Sequence, residues 1–156
     1  MTRDLDEFDR RILAVLQKDN KTALRAIGER VHLSAASVQR RIARMERAGT
    51  IAANVAVVDP AHVGRELTIV VEVEVESERP DLIGKTRKAL AAAAEVQQCY
   101  YVTGDVDFVL IVSVATMAEY EAFTQRVLIG SGNIKRFRTL VAMERTKVGL
   151  AVPLRR

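Results

Sequence analysis

The first fifty residues contain three successive stretches in which apolar positions recur every three or four residues, the spacing of one helix face. The first helix is predicted over Leu5–Leu16, with Asp4 or Asp6 as its N-cap. A second helix is predicted after Lys21, ending in the turn 31–33. The third stretch follows that turn directly, so the pattern indicates three short helices in a row.

The third stretch, Leu33–Gly49, separates apolar side chains from arginines. Ser34 is its predicted N-cap, and Gly49 stands where the helix should end. The apolar members are Val38, Ile42 and Met45, and the arginines are Arg40, Arg44 and Arg47. At 3.6 residues per turn the two sets lie on roughly opposite faces. Two helices joined by a tight turn, the second with a cationic face, are typical of a helix-turn-helix whose second member enters the DNA major groove.

Beyond residue 66 the pattern changes to that of strands, with period-two alternation in 67–76 and a run of β-branched residues in 108–114, interrupted by two helical stretches. Strands are predicted over 67–76, 96–102, 108–114 and 134–148, and helices over 80–94 and 117–128. This order is the ferredoxin-like split βαβ unit, with helices on one side of the sheet only. Valines alternate with glutamates in the first strand, which predicts one core face and one acidic face. The uncovered face predicts self-association.

The fold class predicted is α+β: an N-terminal helix-turn-helix domain, winged or plain, and a C-terminal ferredoxin-like βαββαβ domain. The helix-turn-helix domain is assigned to residues 1–50, a linker strand and hinge to 51–66, and the sheet domain to 67–156. Residues 51–58 are rich in β-branched side chains and are expected to be extended.

Charge and composition change this picture little. The net charge of +4 and the pI near 9.5 favour DNA contact only where the cations are clustered. The N-terminus is too charged for a signal peptide and the apolar runs are too short to cross a bilayer, so a cytoplasmic protein is expected, at the bacterial nucleoid if it binds DNA. Cys99, the single cysteine, is expected to be a buried structural thiol.

No set of residues points to catalysis, to a metal or to a cofactor. His32 and His62 are the only histidines and fall in predicted turn or linker positions. Asp105 and Asp107 alternate in a turn rather than converge as an acid and base pair. We therefore expect that the protein is not an enzyme.

Motifs along nearly the whole chain resemble the Lrp/AsnC family, the leucine-responsive and asparagine-responsive transcription regulators of bacteria and archaea. The matching residues are Leu5-Asp6, Asp9, Ile12-Leu13, Val31, Leu33-Ser34, Val38, Arg41-Ile42, Glu46, Gly49 and Ile51. His32 stands where the family usually has glycine, and Gly28 where it usually has alanine. The resemblance implies that residues 51–58 pair with the same segment of a second chain, and that dimers assemble into octamers.

With two helices before it, the arginine face of the third helix is predicted to contact double-stranded DNA. The candidates are Ser34, Ala36, Ser37, Gln39, Arg40, Arg44 and Arg47. Ser37, Gln39 and Arg40 are assigned to base edges, and Arg44 and Arg47 to phosphates. Arg41 is left out, because beside Ile42 it is expected to pair with an acid such as Glu46.

Residues 103–107 are a hairpin turn by their own chemistry, and the resemblance makes them an amino-acid effector loop at dimer contacts. The effector-binding candidates are Tyr101, Thr103, Gly104, Asp105, Val106, Asp107, Thr139, Leu140 and Val141. Loop amides would donate to an α-carboxylate, and Asp105 or Asp107 would accept from an α-ammonium. The strand residues 139–141 would come from a neighbouring chain. The sequence 131–133 replaces the proline-containing turn usual in the family near this pocket.

The sequence thus predicts a sequence-specific DNA-binding transcription regulator whose assembly or DNA affinity is modulated by a small amino acid. Two alternatives stay open. One is an architectural nucleoid protein that binds DNA broadly and ignores amino acids, and the other is a metabolic sensor whose helical head binds protein.

Overall fold

The computed structural model describes residues 5–154, so Asp4, one of the two predicted N-caps, lies outside the described residues. The helices are α1 (Glu7–Leu16), α2 (Leu24–Val31), α3 (Ala35–Arg47), α4 (Pro80–Ala92) and α5 (Met117–Phe123), with a 3-10 turn at Pro60–Val63 and a π-helical turn at Thr124–Ile129. The strands are β1 (Leu67–Val75), β2 (Val96–Tyr101), β3 (Phe108–Val114) and β4 (Ile134–Val141). No helix among these is long and apolar enough to cross a membrane.

Contacts divide the chain into two compact units with two crossings between them. One unit runs to Val57 and resumes at Val148, and the other is Val58–Lys147. The sequence placed the boundary in the linker 51–66, which contains the first crossing, and assigned residues 67–156 to the second domain. The difference lies in the C-terminal segment, which packs with the helices of the first unit.

The first unit is a three-helix domain around a small apolar core. Its fully buried residues are Ile12, Ile27, Val31, Val38 and Met45, one set from each predicted helix face. Asp6 caps α1 in a reciprocal capping box with Asp9. Residues 5–66 contain no strand, so the helix-turn-helix is plain rather than winged, and the predicted extended segment 51–58 makes no ladder within this chain.

The turn between α2 and α3 is tight at two positions. His32 has a left-handed backbone, with φ 58° and ψ 45°, a conformation that costs an L-residue about 1–2 kcal/mol. Opposite it, a Cβ added to Gly28 would lie 2.4 Å from the carbonyl oxygen of Leu33. The close approach therefore requires glycine at position 28.

The second unit is a four-stranded antiparallel sheet in the order β2-β3-β1-β4. Alternate residues of β1 and β3 are fully buried against helix residues that include Leu90 and Phe123. This confirms the ferredoxin-like prediction. The predicted helix 117–128 exists as α5 followed by the π-helical turn, where the Gly130 N–H donates to the Gln125 carbonyl five residues earlier.

Two details of the sheet prediction are wrong. The last strand was expected to reach Val148, but β4 ends at Val141, because its partner β1 begins at Leu67 and offers no backbone groups beyond it. The uncovered face is also not acidic overall. The β1 glutamates are paired with β4 cations, Glu72 with Arg138 at 2.6 Å and Glu74 with Arg136 at 2.5 Å.

Candidate nucleic-acid interface and effector loop

Helix α3 begins with the cap that the sequence predicted. Ser34 has an extended backbone, and its Oγ accepts a hydrogen bond from the Ser37 amide at 3.2 Å. This bond satisfies one of the free amides of the first turn. The remaining amides of that turn are accessible, since Ala35 and Ala36 are exposed and carry no bulky side chain. The start of the helix can thus approach a flat or grooved polyanion closely.

The outward face of α3 is a single row of residues at spacings of four, three and four. The row consists of Ala36, Arg40, Ala43 and Arg47, with Gln39 exposed on its flank. Within residues 5–154, neither Arg40 nor Arg47 forms an ion pair. They stand seven residues apart, about 10 Å along the helix axis. We call these four residues the recognition row.

Arg44 lies beside this row and is engaged elsewhere. Its guanidinium contacts one carboxylate oxygen of Asp9 at 2.5 Å, while Arg41 contacts the other at 2.8 Å. Arg41 also reaches Asp6 at 2.6 Å, and its expected partner Glu46 instead accepts from Asn54. These four residues, Asp6, Asp9, Arg41 and Arg44, form what we call the Asp9 cluster.

The Asp9 cluster balances two carboxylates against two guanidinium groups around a buried centre. Asp9 is 1% exposed, and a buried carboxylate needs such partners, because desolvation disfavours its charge. Partial burial acts against ionisation of Asp6, but hydrogen bonds from the Asp9 amide and from Arg41 outweigh it and lower the pKa of Asp6. Hydrogen bonds to both carboxylates raise the pKa of Arg41.

The consequence is geometric: the Asp9 cluster ties the first turn of α1 to the second half of α3 and so fixes the direction in which the recognition row faces. Sequence analysis missed this role of Asp9. Two acids three residues apart at a helix start have the spacing of a capping box, which predicts the cap of α1 but not the pairing of Asp9 with α3.

Part of the predicted effector loop is engaged in hydrogen bonds to β1 of the same chain. Asp107 donates its N–H to the Val73 carbonyl at 2.8 Å, and its side chain accepts from the Val75 amide at 2.7 Å. Asp107 therefore fastens the loop to the end of β1, which leaves Asp105 as the exposed carboxylate of the loop. Gly104 has φ 127°, a value that favours glycine.

The other effector candidates of this loop differ in accessibility. Thr103 is exposed, and Val106 is half-buried. The Tyr101 ring is 57% exposed and packs against Phe108 with 5.1 Å between the ring centroids. A ligand could therefore reach the tyrosine, the threonine and the loop amides from solvent.

Within one chain, residues 139–141 do not lie on a strand next to this loop. The loop joins β2 to β3, whereas β4 is the opposite edge strand, with β1 between. Thr139 lies on the helix side, where its hydroxyl shares a 2.6 Å hydrogen bond with Tyr120, and Leu140 lies on the open face. Burial raises the pKa of Tyr120, although the hydrogen bond from Thr139 opposes it.

Asn133 is a structural residue that sequence analysis did not single out. It is 5% exposed, and its amide nitrogen donates to the Ser77 carbonyl and the Thr86 hydroxyl, both at 3.2 Å. Its carbonyl oxygen accepts from the Ser77 amide. This residue forms a hydrogen-bonded junction between the start of β4, the β1–α4 loop and α4.

Among residues 5–154, no three His, Cys, Asp or Glu side chains cluster in a way that could hold a metal ion. Cys99 is half-buried beside the sheet core rather than fully buried. Burial raises the pKa of its thiol against the opposing effect of Arg87.

Models of two protein families match the chain. Residues 5–46 match the AsnC-type helix-turn-helix domain, and residues 68–152 match the Lrp/AsnC ligand binding domain. The chain belongs to the Lrp/AsnC family. It is a transcription regulator of that family, with a DNA-binding helix-turn-helix domain followed by a ligand-binding domain.

Individual proteins are similar to this chain over nearly their full length. An uncharacterised HTH-type transcriptional regulator of Sinorhizobium fredii is 40% identical over 97% of this chain and 89% of its own. The crystal structure of an AsnC family regulator from Agrobacterium tumefaciens has a TM-score of 0.90 and 33% identity, covering 96% of this chain and 97% of that one. A Neisseria meningitidis transcriptional regulator, solved as its complex with L-methionine, has the same fold, with a TM-score of 0.90, 24% identity and the same coverage.

Proposed function

We propose that the recognition row of α3 contacts the DNA major groove and that a small amino acid, bound at contacts between chains, modulates assembly or DNA affinity. The observation that carries the first part is the pair of exposed arginines, Arg40 and Arg47, that the fold leaves without an anionic partner among the described residues. The protein is proposed to act in the cytoplasm, at the nucleoid, without catalytic activity.

The DNA roles divide along the helix. Gln39 and Arg40 lie in the first half of α3, next to the small residues Ala36 and Ser37, and are proposed to contact base edges. Arg47 lies in the last turn and is proposed to contact a phosphate. Arg44 contributes through its bond to Asp9, which orients the helix, and secondarily through its exposed edge.

This division is tested by fluorescence anisotropy with a duplex selected from a random library, titrated at several salt concentrations. Arg47→Ala should weaken binding to all duplexes and lower the salt slope by about 1. Arg40→Ala should cost about 1–3 kcal/mol of discrimination between selected and random duplexes. Arg87→Ala, which removes an exposed arginine of α4, is the matched control.

A shallow salt dependence in the wild-type protein, with no loss in the Arg40→Ala, Arg47→Ala double variant, would contradict the DNA assignment and favour a head that binds protein. Equal affinity for selected and random duplexes would favour the architectural alternative instead.

The effector is proposed to be an amino acid that uses the amides of the 103–107 loop for its carboxylate and Asp105 for its ammonium group. Support comes from the exposure of that loop and from the L-methionine complex of the Neisseria meningitidis regulator. A thermal-shift screen of the common amino acids tests it, because a ligand at a hundred times its Kd adds about 2.7 kcal/mol to the free energy of unfolding. Asp105→Asn should abolish the shift. If no amino acid in the screen shifted the thermal transition, the effector role would be refuted.

We further propose that the open face of the sheet joins two chains into a homodimer, and that four dimers form an octamer. Across β4, β1 and β3 the register aligns three apolar residues, Leu140, Val70 and Ile111, between the glutamate–arginine pairs and the strand ends. Adjacent apolar side chains on an open face favour burial against a second chain. Light scattering should give a multimer for the wild type and a smaller species for Val70→Asp, and an unchanged mass would refute this surface.

A further inference from the structure

The C-terminal segment makes specific contacts with the helical unit. Gln17, the C-cap residue of α1, donates its side-chain N–H to the Val152 carbonyl at 3.1 Å, and its side-chain oxygen accepts from the Val152 N–H at 2.7 Å. Two residues later, Leu154 is half-buried against the core of the three helices. These contacts join positions 135 residues apart in the chain.

The contact between Gln17 and Val152 is a specific pair of hydrogen bonds. The side-chain amide of Gln17 bonds to both the N–H and the carbonyl of Val152, as the backbone of a neighbouring strand would. The apolar residues of the segment before Leu154 have exposed side chains, Val148 at 59%, Leu150 at 76% and Val152 at 61%, so the attachment consists of the backbone bonds of Val152 and the packing of Leu154. Attachment is therefore concentrated where Gln17 and the helical core can hold the chain.

We propose that residues 148–154 are a strap that completes the DNA-binding domain, so that this domain is connected to the ligand-binding unit by two chain crossings, at 57/58 and at 147/148. The strap ends on the C-terminal end of α1, and the N-terminal end of α1 carries Asp9, which orients α3 through Arg44. A rigid helix thus links the second crossing to the recognition row.

Hydrogen exchange of the full-length chain tests the strap independently of any DNA. Gln17→Ala should raise the exchange rate of the Val152 amide on the order of fivefold, the equivalent of one lost hydrogen bond. Leu154→Ala should raise exchange severalfold in α1 and α2 while leaving α4 unchanged. Lys18→Ala, which alters the neighbouring exposed residue, should change nothing. Unaltered Val152 exchange in Gln17→Ala would overturn the proposal, as would equal acceleration in both units.

The link to DNA rests on the proposed function and is measured separately. The Gln17→Ala, Leu154→Ala double variant should bind a selected duplex severalfold more weakly with an unchanged salt slope, because no phosphate contact is removed. Equal affinity of wild type and variant would overturn the route through α1. If the wild type itself bound no DNA, the proposed function would fail while the exchange result would still decide whether the strap exists.

Discussion

Replacing Gly28 with alanine should destabilise the helical domain, although the same change usually stabilises a helix. Gly28 lies inside α2 and faces the turn that leads into α3. The Cβ of alanine would sit 2.4 Å from the Leu33 carbonyl oxygen, about 1 Å closer than an ordinary carbon–oxygen contact. The obstacle is backbone, so no side-chain rotation relieves it.

The magnitude follows from three contributions. Overpacking of this kind costs about 1–3 kcal/mol, and displacing Leu33 weakens the 3.0 Å bond from its N–H to the Gly28 carbonyl, which adds about 0.5–1.5 kcal/mol. Better helix propensity returns about 1 kcal/mol. The net effect expected is a loss of about 0.5–3.5 kcal/mol, together with a displaced Ser34 cap and weaker DNA binding.

Hydrogen exchange of α2 and α3 amides measures this loss in the unit where it occurs. Gly84→Ala in α4 is the matched control, because nothing lies within 4 Å of its added Cβ, and it should stabilise its own unit by about 0.5–1 kcal/mol. His32→Gly should also stabilise, by relieving the left-handed strain. Slower exchange in Gly28→Ala than in the wild type would refute the contact argument.

Three further outcomes concern the polar pairs. Asp9→Asn should cost about 1–3 kcal/mol in denaturant unfolding, less than a fully buried pair, because Arg44 is 43% exposed and can hydrate. The folded-state pKa of Asp6 lies below its ordinary value of 3.8. Its contribution to stability is therefore complete above pH 3.8 and is lost as the pH falls through the folded pKa. In an acid titration, the free energy of unfolding of Asp6→Asn should decline less than that of the wild type. Tyr120→Phe should cost about 1 kcal/mol in thermal unfolding by leaving the Thr139 hydroxyl unpaired.

Local signals sufficed for most of the fold. The cap at Ser34 and the run of β-branched residues in β3 depend on neighbours in sequence, and both elements formed within two residues of the prediction. Where a feature is set by the chain next to it, the sequence contains the information.

The hydrogen-bonding and ion-pair partners of individual side chains were not predictable from neighbouring residues in the sequence. Arg44 has the spacing of a DNA contact, yet it binds Asp9, thirty-five residues earlier. Asp107 has the chemistry of an ammonium acceptor, yet it holds the Val75 amide. The end of β4 depends on where β1 begins. Each outcome depends on residues brought together only by tertiary packing, and a one-dimensional pattern does not specify which of several acids or amides will be nearest.

The position of the effector candidates bears on how regulation would work. In one chain the 103–107 loop and residues 139–141 belong to different strands, separated by β1. We infer that a pocket that uses both sets takes them from two different chains. An amino acid bound in such a pocket would favour the assembly that completes it, and by reciprocity that assembly would raise the affinity for the amino acid. Under this arrangement effector affinity should rise with protein concentration over the range in which light scattering shows the chains associating, and a Kd that stayed constant across that range would place the whole pocket within one chain.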